Sequence, residues 1–309
     1  MSITLCMTLK DEADILARCL DSVVPYVDEI LITDTGSVDG TRELLRERYG
    51  ITPLQRALEP ARFYSVTDVR NELYGLARTD WVFYLDADEM LAGDSGERLV
   101  AATRAAPSTI GGFFGTWSTQ FEGEEVFEDY KLFTFRHGYS KRGLAHANAQ
   151  LDIREKGSRA AWLEGLEIAH FPKSRGFKEK RKLYRWRLSK VIAYEPGWFR
   201  HNWFAGYMEF QDGDFDRALE LFRPLIESRS RFFPVEGLNA RMVAVDALVR
   251  LGRLDEAARA VQEASAFFAE VRDDFEVEIN FRIGPWFEDA ALRLAAGDLD
   301  GVRAYRFSC

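Results

Sequence analysis

The sequence predicts an α/β domain built on a mostly parallel sheet, followed by an all-α helical-repeat domain. Three observations support this division. Short apolar runs alternate with segments of helical periodicity from the first residues as far as Leu85. From Gly111 onward the runs alternate aromatic with charged residues, which is typical of strands. From about Trp198 only helical periodicity remains, and a pattern of glycine and aspartate recurs.

The first half follows a β-α-β-α order, which favours a parallel sheet with helices on its faces. The expected elements are a strand over 3–9, a helix over 11–24 ended by Pro25, a strand over 29–33, a helix through Leu44 and Leu45, a helix over 67–78 and a strand over 81–85. The later runs over 113–117 and 130–135 predict an antiparallel extension of this sheet.

The second half contains three similar segments, which start at Gly213, Gly252 and Gly297. Each glycine can end one helix in the left-handed conformation, and each aspartate that follows can cap the next helix. The pattern resembles tetratricopeptide repeats, although these segments lie further apart than the usual spacing of about 34 residues. A generic helical bundle is the alternative. Either arrangement would offer a surface for a partner or for homo-oligomerisation.

These patterns give three expected regions. Residues 1–172 form the α/β domain, 173–197 a basic amphipathic linker helix, and 198–309 the helical-repeat domain. The linker is rich in lysine and arginine, and its apolar residues fall on one helical stripe. We expect that stripe to pack and most of the cations to be solvated, with one or two turned toward a phosphate. Binding of nucleic acid or of an anionic membrane surface is the alternative for this segment.

The composition excludes several classes of protein. The chain is 309 residues long, 47% hydrophobic and 29% charged, which is typical of a globular protein. Its net charge of −9 argues against nucleic acid as a partner. No apolar run reaches the roughly 18 residues of a transmembrane segment, and the run over 3–7 is too short for a secretory signal. Three scattered cysteines, at positions 6, 19 and 309, argue against structural zinc and favour the cytoplasm.

The most informative stretch is the apolar run 81–85, which ends in Asp86, Asp88 and Glu89. A buried strand that delivers acids to its carboxyl end is typical of ligand sites in α/β sheets. Oxygen-rich clusters of this kind suit Mg²⁺ or Mn²⁺ rather than zinc. The alternative is that these acids cap the next helix.

Three further features follow predicted strands or flank them. The triplet 10–12 follows the first strand, Asp34 opens a glycine-containing loop after the second, and Arg70 lies on the helix before the acidic strand. Asp34 could accept hydrogen bonds from a base or ribose, and Arg70 could pair with a diphosphate. Each residue alone could equally be a turn, cap or surface ion-pair residue. Their common position at one sheet edge favours a ligand site.

These residues together resemble the opening of family 2 glycosyltransferases. The resemblance is carried by LCMTLKDE at 5–12, VDEI at 27–30, TDTGSVDGT at 33–41, VRN at 69–71 and LDADE at 85–89. It implies the GT-A fold, a Rossmann-like domain with a mixed sheet. It weakens over 111–172, and the helical tail resembles the repeat-bearing branch of that family.

The resemblance also implies a role for individual residues in binding a nucleotide-sugar donor. Thr8, Glu12 and Asp34 would hold the base and ribose, with UDP as the expected carrier. Arg70 would lie near the diphosphate, and Asp86 would reach the ribose or the sugar.

The resemblance implies a metal site as well. Asp88 would bind Mg²⁺ or Mn²⁺ between the two phosphates, and His170 would complete that site, since imidazole suits Mn²⁺ better than Mg²⁺. The alternative for His170 is a strand-end histidine without a ligand. Asp11 departs from the asparagine usual beside the glutamate.

The expected reaction is inverting transfer of the sugar to an acceptor activated by a general base. In this branch the base is a glutamate directly after a histidine, but here Ala147 follows His146. His146 could act as the base, since an imidazole has an ordinary pKa near 6.5. The alternatives are a carboxylate elsewhere such as Asp152, an acceptor that needs no protein base, or loss of transfer.

The sequence therefore predicts a metal-dependent inverting glycosyltransferase with an unknown acceptor, which could be a peptide, a saccharide, a lipid-linked glycan or a small natural product. The alternative is a non-catalytic nucleotide-sugar-binding scaffold whose repeats bind a peptide or protein, which Ala147 would favour. Nucleotidyl transfer is disfavoured, because the chain has no glycine-rich loop with a basic residue near its start.

Overall fold

The computed structural model describes residues 1–58, 65–120, 127–172, 177–274, 277 and 282–307. The chain divides into two compact units, Met1–Lys178 and Glu179–Cys309. The predicted linker residues Lys173 and Arg175, and the last cysteine, lie outside the described residues.

The described part of the first unit contains an eight-stranded sheet and five α-helices. The strands are β1 (Ile3–Leu9), β2 (Glu29–Asp34), β3 (Leu54–Gln55), β4 (Trp81–Tyr84), β5 (Glu89–Leu91), β6 (Ile110–Thr119), β7 (Phe127–Arg136) and β8 (Arg159–His170). The helices are α1 (Leu16–Val23), α2 (Thr41–Tyr49), α3 (Ser65–Leu76), α4 (Ser95–Ala105) and α5 (Gln150–Glu155).

The sheet is mixed, with the strand order β3-β2-β1-β4-β7-β6-β8-β5. Strand β1 pairs in parallel with β2 and with β4, so the carboxyl ends of these three strands lie at one edge. Strand β7 runs antiparallel to β4 and to β6. The predicted antiparallel extension is therefore confirmed, and it begins directly beside the acidic strand.

Strand β4 forms because its side chains are buried on both faces of the sheet. Trp81, Val82 and Phe83 are fully buried, and Tyr84 is nearly so. Trp81 and Phe83 belong to a core that also contains Leu5 and residues of α1 and β7. A strand of this composition cannot continue into carboxylates without leaving the core, which places the acids at its end.

The first helix starts later than the sequence predicts, at Leu16 rather than at residue 11. Asp11 has a φ of 56°, in the left-handed region that ends regular structure. The carbonyl oxygen of Glu12 accepts hydrogen bonds from the N–H groups of Ile15 and Leu16, which forms a turn. Side-chain contacts of Asp11 with the next loop stabilise this irregular segment.

The second unit is helical, as predicted. Its helices in the described part of the chain include α6 (Phe177–Tyr194), α7 (Arg200–Gln211), α8 (Phe215–Ser228), α9 (Pro234–Arg250), α10 (Leu254–Val271) and α11 (Ile283–Ala296). From α7 onward each helix packs against the next in the chain. Helix α9 is buried from Pro234 to Val249 and lies at the centre. In the described residues, no helix combines the length and apolar character needed to cross a bilayer.

The repeated glycines end helices as predicted. Gly213, Gly252 and Gly297 have φ values of 84°, 71° and 73°, a region that other residues rarely adopt. Asp214 caps α8, since its carboxylate accepts a hydrogen bond of 3.1 Å from the backbone N–H of Arg217.

The cap predicted for the second repeat is wrong. Helix α10 begins after Arg253, whose side chain makes no cap hydrogen bond, and Asp255 lies within the first turn. The extra residue pair between glycine and aspartate in this repeat moves the carboxylate past the cap position.

We expect Asp214→Ala to destabilise the helical unit, because the Arg217 N–H then lacks its acceptor. The expected loss is about 1 kcal/mol in the free energy of unfolding. Urea denaturation of the full chain, followed by far-UV circular dichroism, measures it. Asp255→Ala is the matched control, with an expected loss below about 0.5 kcal/mol from the helix dipole alone. Equal losses of unfolding free energy in the two variants would contradict the assignment of Asp214 as the N-cap of α8.

Candidate functional site

Hydrogen bonds connect the loops after β1 and β2 at the carboxyl edge of the sheet. The N–H of Asp11 donates to Ser37 Oγ at 2.9 Å, and Asp11 Oδ1 accepts from the N–H of Val38 at 2.8 Å. The N–H of Glu12 donates to Thr41 Oγ1 at 2.9 Å. Asp11 and the start of α2 are therefore held together at the sheet edge where the candidate site lies.

Asp34 and Thr8 lie beside these loops, and each has one buried side-chain oxygen that accepts no hydrogen bond from the described residues. Asp34 is fully buried, and its Oδ1 accepts from the N–H and the hydroxyl of Ser37 at 2.9 and 2.6 Å. Its Oδ2 accepts no hydrogen bond from the described residues, and Arg42 Nε lies 3.6 Å away. Thr8 Oγ1, on β1, is also buried without a hydrogen-bond partner in the described residues. Such atoms favour a polar ligand here.

Asp86 is held by cations from two other elements. Its Oδ1 accepts from Arg70 Nη2 of α3 at 2.6 Å, and its Oδ2 lies 3.7 Å from Lys131 Nζ of β7. Arg70 therefore contacts Asp86 directly. Although burial opposes it, the charges of Arg70, Lys131 and Lys141 hold the pKa of the Asp86 carboxyl well below its usual range.

Glu89 is part of the same charge cluster. It is almost fully buried, and Lys131 Nζ lies 2.5 Å from its Oε1. Its Oε2 accepts from the N–H of Asp86 at 2.9 Å, which closes the turn after β4. Burial, together with the negative charge of Asp86, raises the pKa of Glu89. Glu89 is therefore a structural acid rather than a ligand of the site.

Asp88 lies against His170, which stands at the end of β8. His170 Nε2 is 3.5 Å from Asp88 Oδ2, and its Nδ1 shares a hydrogen bond of 3.0 Å with Thr119 Oγ1. Trp117 stacks on the imidazole, with ring centroids 4.5 Å apart and planes at 23°. The N–H of Phe171 donates to the backbone oxygen of Asp88 at 2.8 Å. The orientation of the imidazole toward Asp88 is thus fixed on two sides.

This pair fits a divalent cation held by few protein ligands. In the described residues, no group of three or more histidine, cysteine and acidic side chains could hold a metal by itself. Magnesium and manganese sites commonly take one or two protein ligands and complete their octahedron with phosphate oxygens and water. Neighbouring ligands of such an octahedron lie roughly 3 Å apart. Asp88 Oδ2 and His170 Nε2, 3.5 Å apart, approach that separation.

Lys141 completes the cationic side of the site, and neither it nor Lys131 was predicted. Its ammonium lies 3.2 Å above the centre of the Tyr84 ring, and the residue is 5% exposed. Asn71 holds its backbone, since Asn71 Oδ1 accepts from the Lys141 N–H and Asn71 Nδ2 donates to the Lys141 oxygen, both at 2.8 Å. Burial, with the charges of Arg70 and Lys131, lowers the pKa of Lys141 well below its ordinary value.

The predicted base candidates lie in the segment after β7. His146 stands in a loop closed by backbone hydrogen bonds between Arg142 and Asn148, and its φ is 49°. Asp152 Oδ2 accepts from the N–H of Ser140 at 2.9 Å and from Lys156 Nζ at 2.8 Å. Asp152 is thus occupied by structural contacts.

We expect Lys141→Met to stabilise the protein at neutral pH, because it removes a buried charge with little change in volume. The folded-state pKa of Lys141 is lowered, whereas the unfolded value lies near 10.4. Between these values the unfolded chain binds more protons, so the stability of the wild type rises with pH. The advantage of the variant should therefore shrink from pH 7 to pH 9 in urea titrations. Lys156→Met, which removes a lysine that is 49% exposed, is the comparison for simple charge loss. A stability gain of Lys141→Met over the wild type that stays constant with pH would contradict this expectation.

Part of the first unit is similar to a known protein family. Residues 4–141 match the family described as "Glycosyl transferase family 2". A TPR repeat-containing protein of Synechococcus elongatus is 38% identical over 89 residues, which is 29% of this chain and 21% of that protein. The chain thus spans about a fifth of the length of that curated relative.

The similarity of this chain to solved structures is weaker. S. aureus TarS (residues 1–349) is 11% identical with a TM-score of 0.42, over 100% of this chain and 94% of that one. Glucosyl-3-phosphoglycerate synthase from Mycobacterium tuberculosis, in complex with Mg²⁺ and UDP, is 13% identical with a TM-score of 0.42, over 62% and 78% of the two chains. The family match thus shows residues 4–141 of this chain to be similar to glycosyltransferase family 2.

Proposed function

We propose that this protein is a metal-dependent inverting glycosyltransferase that moves a sugar from a UDP-linked donor to an acceptor. The family match supports nucleotide-sugar transfer by the first unit. The observation that carries the metal-dependent part is the Asp88–His170 pair, oriented by Thr119 and Trp117 beside the charge cluster of Asp86. Supporting partners that fix the free nitrogen of a ligand histidine are typical of metal sites.

The proposal assigns donor binding to the carboxyl edge of β1, β2 and β4. Thr8 Oγ1 and Asp34 Oδ2 offer unused acceptors for a nucleoside, and Glu12 lies on the loop between them. Arg70 uses Nη2 on Asp86, and its guanidinium carries further N–H donors for the diphosphate. The same bond fixes Asp86, whose carboxylate then faces the ribose or sugar.

Asp88 and His170 would hold Mn²⁺ or Mg²⁺. A cation bound there would supply Lewis-acid neutralisation of the negative charge that develops on the leaving diphosphate. The side chains of this chain provide the rest. Asp86 and Arg70 orient the donor, and His146 removes the proton of the acceptor nucleophile as it attacks the anomeric carbon from the face opposite the phosphate.

The reaction would take place in a reducing compartment, the cytoplasm. Cys6 and Cys19 are buried free thiols of the first unit. Burial raises the pKa of both thiols, which keeps them in the unreactive protonated form. The helical unit is assigned to the acceptor or to self-association.

The first test is metal-dependent release of UDP from a panel of UDP-sugars, with Mn²⁺ and without an added acceptor. We expect slow hydrolysis of one donor, and its loss with EDTA or in Asp88→Ala. Removing one of two protein ligands should weaken metal affinity at least tenfold, and manganese binding followed by electron paramagnetic resonance measures that directly.

Asp21→Ala is the matched control, because Asp21 is about half exposed and pairs with Arg48 away from this edge. It should bind Mn²⁺ as the wild type does. Metal-dependent binding of a donor without release, with every acceptor tried, would instead support the scaffold function that Ala147 favours. Undiminished manganese binding in Asp88→Ala would overturn the metal site.

The second test concerns the base. If His146 removes the acceptor proton, His146→Gln should lower kcat by about 10²–10⁴-fold while donor KM changes little. His137→Gln, in an exposed turn after β7, is the matched control and should leave kcat unchanged. A wild-type rate in His146→Gln, measured once an acceptor is found, would assign the proton to another group.

A further inference from the structure

Residues 303–307, which follow α11, lie along the helical unit as a segment without helix or strand. We call them the docked segment. The core of the helical unit includes Val302 as a buried residue, whereas Ala304 and Phe307 are only partly buried against that core. Tyr305 is 37% exposed. The docked segment therefore lies on the surface of the helices and not in their buried core.

Side chains of three helices bind the backbone of the docked segment. The N–H of Ala304 donates to Asp246 Oδ2 of α9, and the N–H of Phe307 donates to the Tyr207 hydroxyl of α7, both at 2.9 Å. The carbonyl oxygen of the segment's first residue accepts from Trp286 Nε1 of α11 at 2.8 Å. Because these bonds use backbone groups, they would hold any extended peptide that follows the same path.

The side chains of alternate residues in the docked segment also contact the helices, as in an extended chain. Phe307 stands edge-on to Trp203 and Tyr207, with ring centroids 5.1 and 5.4 Å apart. The Tyr305 hydroxyl donates to the backbone oxygen of Arg282 at 3.0 Å. Aromatic pairs of this geometry contribute more than their buried area alone. The helices therefore select aromatic side chains at two alternate positions.

The contacts on α7 and α9 come from equivalent positions of two repeats. Trp203 and Met242 both stand ten residues before the repeated glycine, and Tyr207 and Asp246 both stand six residues before it. Met242 Sδ accepts from the N–H of Tyr305 at 3.5 Å. Residues four apart share one face of a helix. The two repeats thus present the same face to the docked segment.

We propose that this face of α7, α9 and α11 is a docking site for an extended peptide of a partner protein, and that residues 303–307 occupy the site until the partner displaces them. The partner peptide carries aromatic side chains at two alternate positions, as Tyr305 and Phe307 do here. Asp246 and Tyr207 bind its backbone, and Trp203 contacts its second aromatic ring. The inference concerns the helical unit and does not depend on the proposed transfer reaction.

Displacement of the docked segment leaves the helical core intact. The buried side chains of that core come from α9, α10 and α11 together with Val277 and Val302. A partly exposed segment held by side chains opens at lower free-energy cost than the helices beneath it. Since it is tethered to α11, it competes with a partner at a local concentration in the millimolar range. Weakening the docked segment should therefore strengthen the binding of a separate peptide.

The experiment is fluorescence anisotropy of the full chain with a labelled, end-blocked peptide that repeats residues 302–307 (VRAYRF). We expect weak binding to the wild type, because the docked segment competes. Phe307→Ala removes the aromatic anchor of the competitor and should tighten peptide binding about tenfold. Tyr305→Ala is a second variant with the same expected direction. A peptide in which alanine replaces the final phenylalanine should bind about tenfold more weakly than VRAYRF.

Phe232→Ala is the matched control, because Phe232 is 64% exposed and lies before α9, outside the contacts of the docked segment. It should bind the peptide as the wild type does. Circular dichroism verifies the fold of each variant, and the two peptides can be compared on the wild type alone if a variant does not fold.

Three results would overturn the inference. If neither the wild type nor the folded variants bind VRAYRF, the docked segment is a permanent part of the helical unit. If a scrambled peptide binds equally well, the site does not select aromatic side chains at alternate positions. If the wild type is a dimer that the peptide dissociates, the occupant is a second copy of this chain and not a separate partner.

Discussion

The charge balance at the end of β4 is the constraint on which the rest of the site depends. A strand buried on both faces is followed by Asp86, whose side chain is 39% exposed, and by the buried Glu89, and cations stabilise both carboxylates. Arg70 and Lys131 supply them from α3 and β7. Because those elements approach β4 from two sides, the ion pairs also fix the position of the turn that carries Asp88. The position of Asp88 beside His170 is thus a consequence of how the neighbouring acids are neutralised.

This balance separates the roles of acids that look equivalent in the sequence. Glu89 is buried and bonded to Lys131, Asp86 is bonded to Arg70, and Asp88 faces His170. Of these three acids, only Asp88 has its carboxylate beside an imidazole nitrogen, which is itself a possible metal ligand. Pairing of β5 with β8 creates it, since Glu89 and His170 are partners in that ladder.

The sequence was sufficient for the strands and for the acidic edge, because strands buried on both faces read as continuous apolar runs and parallel strands must align their carboxyl ends. It could not predict Lys131 and Lys141. The position of Lys131 depends on the register of β7 against β4, and that of Lys141 on the hydrogen bonds of Asn71 to its backbone. Nothing local in the sequence distinguishes these lysines from solvated ones. The predicted start of α1 is wrong for a similar reason, since contacts with the next loop hold Asp11 outside the helix.

The segment between β7 and α5 contains Ala147, where the family pattern has a glutamate after the histidine. It carries Lys141, His146 and Ala147, and it is joined to α3 by Asn71 and by the hydrogen bond of 3.1 Å from Thr67 Oγ1 to the Gly143 oxygen. Helix α3 also carries Arg70, so the cation that fixes Asp86 and the loop with the candidate base share one support. The position of this segment therefore depends on the same helix that orients Asp86.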